Sequence, residues 1–329
     1  MGIVNAPGRK KIESLRQGTT AGFRGRKAGM TRIGCVLLLS VACVADEGVV
    51  SSGSDPRVPA PIQIATYNLE NLSPFDLTDR YVAFAQAIVT ELGAPEILAV
   101  QEIQDSDGNK NTGRVDATVT IDRLLAALAQ AGVPGYRAVQ LDPRDGHDGG
   151  MPGANIRPVV LLRGSVELAE DPVRLGENSA AFVDSRKPLV VRVTHDGRPL
   201  TIVNVHFASG RADTTVNRDD QRLLQAQMVA QFVNAQRAQH PATPVVVLGD
   251  LNDKLDTAPL LALTGAGLFN LMGLVPLGER HTYVHSGNPV VLDHILVTDT
   301  LRSALDFIRV KGTLPGPSDH RPVLARFFP

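Results

Sequence analysis

The chain has 329 residues, of which 43% are hydrophobic and 20% charged, proportions of a globular protein that exclude an intrinsically disordered one. Its formal net charge of −1 conceals an asymmetry: residues 1–45 hold eight Lys/Arg against the single acid Glu13, leaving 25 basic and 33 acidic residues, a net of about −8, in residues 46–329. That balance excludes a general basic footprint for nucleic acid, so any phosphate group must be met locally, by a few cations or a bound metal.

The first element in chain order is an apolar run, IGCVLLLSVACVA, residues 33–45, which contains both cysteines, Cys35 and Cys43. Its 13 residues fall short of the ~20 that span a bilayer. With Arg32 and the basic stretch before it, the run reads as the apolar part of an export signal. Met30 is a candidate start, and Ala45 or Cys43 a candidate processing point, Cys43 as a lipid-anchored N-terminus. The alternative is a buried core segment. DEGVVSSGSDPRVPAP, residues 46–61, reads as a flexible linker. From residue 62 to 329 no break or repeat interrupts the chain, and we expect one domain there.

Strand and helix patterns then alternate. Strands are expected over IQIATYN (62–68), EILAVQE (96–102), PVVLLR (158–163), LVVRVTH (189–195), LTIVNVHF (200–207), VVVLG (245–249), VLDHILVT (291–298) and RPVLARF (321–327). Asp196-Gly197 marks a hairpin between the fourth and fifth. Helices are expected over 79–92, capped by Thr78 or Asp79; over 121–131, capped by Thr120; and over 219–237, with Leu223, Leu224, Met228, Val229, Phe232 and Val233 facing inward. Hairpins mixed with crossovers indicate mixed sheets.

The strands share one peculiarity. Asn68 and Glu70 stand at the end of the first, Gln101 and Glu102 at the end of the second, and Asn204 and His206 at the end of another. Asp250 and Asn252 follow VVVLG; Asp293 and His294 open VLDHILV; Ser318, Asp319 and His320 precede the last strand. Turn chemistry explains one or two such cases. Repeated carboxylates and imidazoles beside aliphatic runs point to a site, because burying such charges costs several kcal/mol without a metal or partner. Carboxylates suit Mg²⁺ or Mn²⁺, and a His–Asp pair can hold a proton near neutral pH. Two cysteines rule out cysteine-rich zinc sites, and no HExxH or P-loop is present. Adjacent strand residues face opposite ways, so only one of Asp293 and His294 should enter the site; we expect Asp293.

TYNLEN, LAVQE, DSRKPLVV, VNVHFAS, VVVLGDLND, LDHILV and SDHRPV, in this order over residues 62–328, resemble the endonuclease/exonuclease/phosphatase superfamily, the DNase I-like enzymes. QLDPRDGHDGGMPGANIRPVVLLR with AFVDSRKPL is similar to a bacterial exported, nuclease-like subgroup. The resemblance implies an α/β fold, a four-layer α/β/β/α sandwich of two mixed sheets flanked by helices. It implies an exported divalent-metal phosphodiesterase, a nuclease acting on DNA or RNA with Mg²⁺ or Mn²⁺. Carried over by motif, Glu102 is the principal metal ligand, with Asn68 and Asp319 near the metal. Asp250 orients or deprotonates the attacking water, Asn252 holds the scissile phosphate and His206 contacts a phosphate oxygen. His320 with Asp293 stabilises the transition state or transfers a proton. Arg186 and Asn204 join the substrate-binding set. The family's Tyr before the strand that begins here at Val159 is missing from NIRP, and Arg157 stands in its place as a phosphate donor. A monomer with no stable protein partner is expected, attached to a membrane only through its N-terminus.

Two acidic loops invite further readings. DSDGNKNTGRVD, 105–116, lacks the Gly and Glu of an EF-hand and reads as a solvated loop. DPRDGHDGG, 142–150, offers either a second ion site, for which Ca²⁺ is a candidate, or a Gly/Asp turn. His281 and His285 read as surface or supporting residues. Against the nuclease stand a phosphatase or sphingomyelinase-like lipid phosphodiesterase, disfavoured by the absence of Trp and by only four Tyr, and a non-catalytic, lipid-anchored binding protein.

Overall fold

The computed structural model describes residues 60–210 and 217–328. The leader expected at 1–45 and nearly all of the linker expected at 46–61 lie outside the described residues.

In chain order the elements are β1 (Ile62–Leu72), α1 (Thr78–Gln86), β2 (Ile97–Ile103), α2 (Thr118–Gln130), β3 (Arg137–Val139), β4 (Arg157–Leu162), β5 (Val166–Leu168) and β6 (Val173–Arg174). These are followed by β7 (Leu189–His195), β8 (Arg198–His206), α3 (Arg218–Gln239), β9 (Val245–Asp250), α4 (Ala258–Gly265) and β10 (Phe269–Asn270). The last are β11 (Tyr283–His285), β12 (Asn288–Val290), β13 (Asp293–Val297), α5 (Asp299–Ser303), β14 (Leu305–Val310) and β15 (Val323–Phe327). One sheet runs β14-β15-β1-β2-β4-β3 and the other β10-β13-β9-β8-β7-β5, with β6 also on β7. Each is mixed: β1 and β2 are parallel in the first, β8 and β9 in the second.

Strand alternation builds the layers. In β1, Ile62 and Ile64 enter the core between the sheets, while Ala65, Tyr67 and Leu69 face α1 and α2. In β9, Val246 and Leu248 enter that core, while Val245 and Val247 face α3 and α4. Both faces of these strands are therefore dry, which is why their sequences are continuously apolar. The result is the expected helix–sheet–sheet–helix sandwich.

The helices needed correction. The first ends in a π-helical turn over Ala87–Glu91; its N-cap position is Leu77, with no side-chain cap. The second starts at Thr118, and Thr120 donates from inside it to the Asp105 carbonyl. On α3, capped by Asn217, the buried stripe includes Gln221, Arg222, Gln225, Ala226, Val229 and Val233, whereas Leu224 is exposed. Counting apolar residues misplaced that face because Gln225 is buried by hydrogen bonds to the Ala208 amide, the Ala181 carbonyl and the Ser185 hydroxyl. No helix among the described residues is long and apolar enough to cross a membrane.

Candidate active site

The same alternation that fills the core delivers polar residues to one end of it. Continuing the inward series, Ile62 and Ile64 lead to Thr66 and Asn68; Leu200 and Ile202 lead to Asn204 and His206; Val246 and Leu248 lead to Asp250; Ile295 and Val297 lead back to Asp293. Strand register aligns them. His206 pairs with Asp250 across β8 and β9, and Asp250 pairs with Asp293 across β9 and β13. Gly249 permits the first pairing: at φ +139°, a side chain there would put its Cβ 1.9 Å from the Val205 carbonyl oxygen.

Glu102 breaks the alternation. Ile97 and Ala99 face the inter-sheet core, so the next inward residue is Gln101. The register on β4 slips between Val100 and Ile103, and Glu102 adopts φ 63°. This bulge turns its carboxylate back to the same cleft. There Oε2 accepts from the Asn71 amide at 2.8 Å and Oε1 from Asn68 Nδ2 at 3.1 Å. Asn68 Nδ2 also donates to Asp250 Oδ2 at 3.0 Å, so one amide bridges two carboxylates. The next turn of β1 is likewise left-handed, at Glu70 and Asn71. Such backbone costs about 1–3 kcal/mol per residue and collects at functional sites.

Around this bridge stand two histidines. His206 Nε2 lies 3.6 Å from both Glu102 Oε1 and Asp250 Oδ2. His320 Nδ1 lies 2.8 Å from Asp293 Oδ2, and its Nε2 is 3.9 Å from Asp250 Oδ2. Ser318 ties the last loop in place, donating to the Asn68 carbonyl and accepting from the His320 amide. Asn252, at φ 52°, donates its amide to Asp250 Oδ1 and one side-chain hydrogen to the Phe207 carbonyl. Asp319 reaches the edge of the cluster, 4.0 Å from His320 Nε2. His294 points the other way, held by Asn270 and the Asp253 carbonyl, so Asp293 is the member of that pair that enters the site.

Electrostatics separate the roles. Burial pushes Asp250 up to about 7, with Asp293 and Glu102 adding to it against the opposing pull of His320. Burial works against the charge of His320, yet the Asp293 and Asp250 carboxylates outweigh it and push His320 up to about 10. Burial, then Arg186 and His320, hold His206 well below the usual imidazole range. Burial and Asp319 raise Glu70, whose carboxylate accepts from the Asp319 amide. These environments favour the protonated form of His320 and the unprotonated form of His206.

The carboxylates of the cleft suit a hard divalent cation. Ligand atoms of Glu102, His206 and Asp250 lie within 4.8 Å of one another, as do those of Asp250, Asp293 and His320. The oxygen donors Glu102, Asp250 and Asp319 beside the Asn68 amide match Mg²⁺-type chemistry.

Three expected substrate contacts sit elsewhere. Arg157 is 1% exposed and bonded to Asp142, Gln140 and the Val115 and Asn155 carbonyls. It braces a loop, so it does not replace the missing Tyr. Asn204 is fully buried: it accepts from Gln101 and gives both amide hydrogens to the Val100 and Val159 carbonyls, which clamps the two sheets together. Arg186 is 4% exposed and lies behind His206. The acids of the 142–150 loop are engaged by protein: Asp142 by Arg157, Asp145 by Asn155, and Asp148 by Arg174 and Lys187. In the 105–116 loop, Asp105 accepts from Asn155 and Asp116 from Arg114. Two residues were overlooked by sequence reasoning. Tyr283, on the β11–β12 hairpin, packs its ring 4.9 Å from that of His320, and no local pattern in the sequence marked it. Glu70 was visible in TYNLEN but received no role.

Comparison with known proteins identifies the family and the fold. The profile described as Endonuclease/Exonuclease/phosphatase family matches residues 65–320. No curated protein sequence matches significantly. Similar solved structures include D. rerio TDP2 complexed with single strand DNA product, 18% identical, covering 82% of this chain and 99% of that one, TM-score 0.57. The endonuclease/exonuclease/phosphatase from Bacteroides vulgatus is 16% identical over 81% of this chain and 98% of its own, TM-score 0.58. The human Nocturnin catalytic domain with bound sulfate is 17% identical over 81% and 94%, TM-score 0.56. At these identities the likeness is one of fold.

Proposed function

The chain belongs to the endonuclease/exonuclease/phosphatase family, whose members are metal-dependent phosphodiesterases and nucleases, and we propose that it is an exported nuclease that hydrolyses DNA with Mg²⁺ or Mn²⁺. The observation that carries this reading is the Asn68 amide bridging Glu102 and Asp250, with one imidazole on each side. Hydrolysis at phosphorus needs little covalent help; aligned donors and charge near the developing oxyanion provide most of the catalysis.

Glu102, with Asp319, would hold the cation; Asn68, expected among the ligands, turns its Nδ2 donor to both carboxylates while its Oδ1 accepts from the Glu70 amide, so it would align the ligands instead. When bound, the cation polarises a phosphate oxygen and offsets developing negative charge. Asp250 orients a water for in-line attack and accepts its proton. Asn252 and His206 donate to the phosphate oxygens. His320, kept cationic by Asp293, faces the same phosphorus centre and stabilises its charge or gives a proton to the leaving oxygen.

The single-strand DNA product held by the D. rerio relative supports DNA as the substrate. Export rests on the basic stretch and the 13-residue apolar run ending at Ala45, with Cys43 as the alternative lipid anchor. The enzyme acts as a monomer with no stable protein partner, and any membrane attachment runs through that N-terminus. The test is incubation with plasmid DNA, single-stranded DNA, RNA, sphingomyelin and a phosphomonoester, each with Mg²⁺, Mn²⁺ or chelator. Metal-dependent nicking or shortening of DNA is expected. Turnover confined to sphingomyelin or the monoester would replace the nuclease reading, and no turnover at all would end it. The mass of the mature N-terminus in fractionated cells checks export.

A further inference from the structure

We propose that Arg186 is a positioning residue: by donating to Nδ1 it holds His206 as the neutral imidazole with its proton on Nε2, which makes His206 a hydrogen-bond donor to the phosphate and not a ligand of the metal. The phosphate role rests on the phosphodiesterase reading above; the tautomer does not.

The inference starts from donor inventory. A guanidinium has N–H donors and no acceptor. Arg186 Nε lies 3.2 Å from His206 Nδ1, so Nδ1 must present its lone pair. A neutral ring then carries its proton on Nε2. That atom faces Glu102 Oε1 and Asp250 Oδ2, both at 3.6 Å, beyond good hydrogen-bond length, so its proton is not committed to either carboxylate. Histidines that bind metal usually donate their second N–H to a carboxylate or carbonyl, which leaves the first nitrogen free to ligate. Here the polarity is reversed. Although Glu102, His206 and Asp250 are close enough together to hold an ion, the imidazole has no lone pair to offer it.

Arg186 has little freedom to do otherwise. Its Nη2 donates to the Phe207 carbonyl at 2.7 Å, next to the histidine it orients. Both flanking residues are buried and separately anchored: Ser185 accepts from Gln225, and Lys187 donates to Asp148 and to the His147 carbonyl. Gly150 lies against Arg186 on the far side, where a Cβ would fall 2.4 Å from Ile156 Cδ1 and 3.7 Å from Arg186 Nη1. The cation beside His206 also disfavours its protonation, in line with its depressed basicity. This arrangement accounts for the buried Arg186 of DSRKP, whose neighbour Lys187 is neutralised separately by Asp148.

Nitrogen-15 NMR of the full protein labelled at histidine, with the His206 signals assigned by their loss in His206→Gln, tests it. We expect Nδ1 to be unprotonated and Nε2 protonated, with neither signal acquiring a ligand-type shift when Mg²⁺ is added. In cleavage assays, Arg186→Met should lower kcat ~10²–10³-fold, the loss of one oriented donor, with KM little changed. Arg186→Lys, which keeps a donor-only cation, should recover part of it, and His206→Gln, which keeps an N–H donor, should outperform His206→Ala. Circular dichroism confirms that each variant is folded. A protonated Nδ1, or a ligand-type shift of Nε2 on adding Mg²⁺, in the native protein overturns the assignment even if both Arg186 variants fail to fold. The expected ring signature in a protein without turnover on any phosphodiester would support the Arg186 assignment and overturn the phosphodiesterase reading instead.

Discussion

Asp293 Oδ2 and His320 Nδ1 meet at 2.8 Å, both buried, while the other oxygen of Asp293 has no hydrogen-bond partner among the described residues. The whole hydrogen-bonding effect of this carboxylate is therefore directed at one imidazole, and His320 is the mirror image of His206: one ring is held by an acid, the other by a cation. Asp293→Asn removes the largest charge that holds the His320 proton. The His320 imidazole, pushed up to about 10, should titrate well below that value in the variant, measured by its ring-proton NMR shift against pH. Cleavage at neutral pH should fall ~10²–10³-fold. An unchanged titration curve would remove Asp293 from the proposed pair.

Glu102 combines strain with function, and glycine can separate the two. At φ 63° the position suits Gly better than Glu. Glu102→Gly should abolish metal-dependent cleavage while leaving thermal stability within about 1 kcal/mol of the native protein, or above it in chelator. Glu102→Ala, which keeps the Cβ, should be equally inactive and less stable than the Gly variant. Paired melting curves and cleavage assays check the order.

Asp250 links stability to pH. Its folded value of about 7 lies above the ordinary 3.8, so the folded state binds the extra proton between those values. The contribution of the group is most favourable below pH ~4 and is lost as pH rises through 7. In chelator, Asp250→Asn should exceed the native protein in stability at pH 8, by about 2–4 kcal/mol, with the difference closing as pH falls to 4. Saturating Mg²⁺ should narrow the pH 8 gap, because a cation stabilises the ionised carboxylate. Denaturant titrations at pH 4, 6 and 8 decide it; a gap independent of pH would contradict the raised value.

Arg157 and Asn204 should behave as structural residues. Arg157→Ala leaves a buried vacancy and takes a donor from the Val115 and Asn155 carbonyls, with the half-exposed Asp142 free to hydrate, and should cost about 2–5 kcal/mol. Asn204→Ala removes one acceptor of Gln101 Nε2, which keeps Thr66 Oγ1, and the side-chain donors to two strand carbonyls, and should cost about 1–3 kcal/mol in all. Where these variants remain folded, KM for DNA should stay within about twofold of the native value. A large rise in KM for Arg157→Ala would return it to the substrate-binding set.

Much of this protein could be read from its residues in order. Continuous apolar runs such as VVVLG mark strands buried on both faces, and the polar residue that ends each run marks the edge where the sheets open. Parity along a strand is a local property, so Asn68, His206, Asp250 and Asp293 could be assigned to the cleft without coordinates. The same parity selects Gln101 over Glu102; a bulge reverses that choice, and a bulge depends on register with β1 and β4. Composition likewise could not separate Arg157, Arg186 and Asn204 from true substrate contacts. A polar side chain at a strand end serves the ligand or the fold according to which partners lie within 3 Å, and those partners come from loops and strands as far away as residues 101, 115 and 142. Local pattern set the strands and their inward faces, because backbone geometry repeats every two residues. Only tertiary packing decided which buried charges face substrate, because pairing between distant residues has no period.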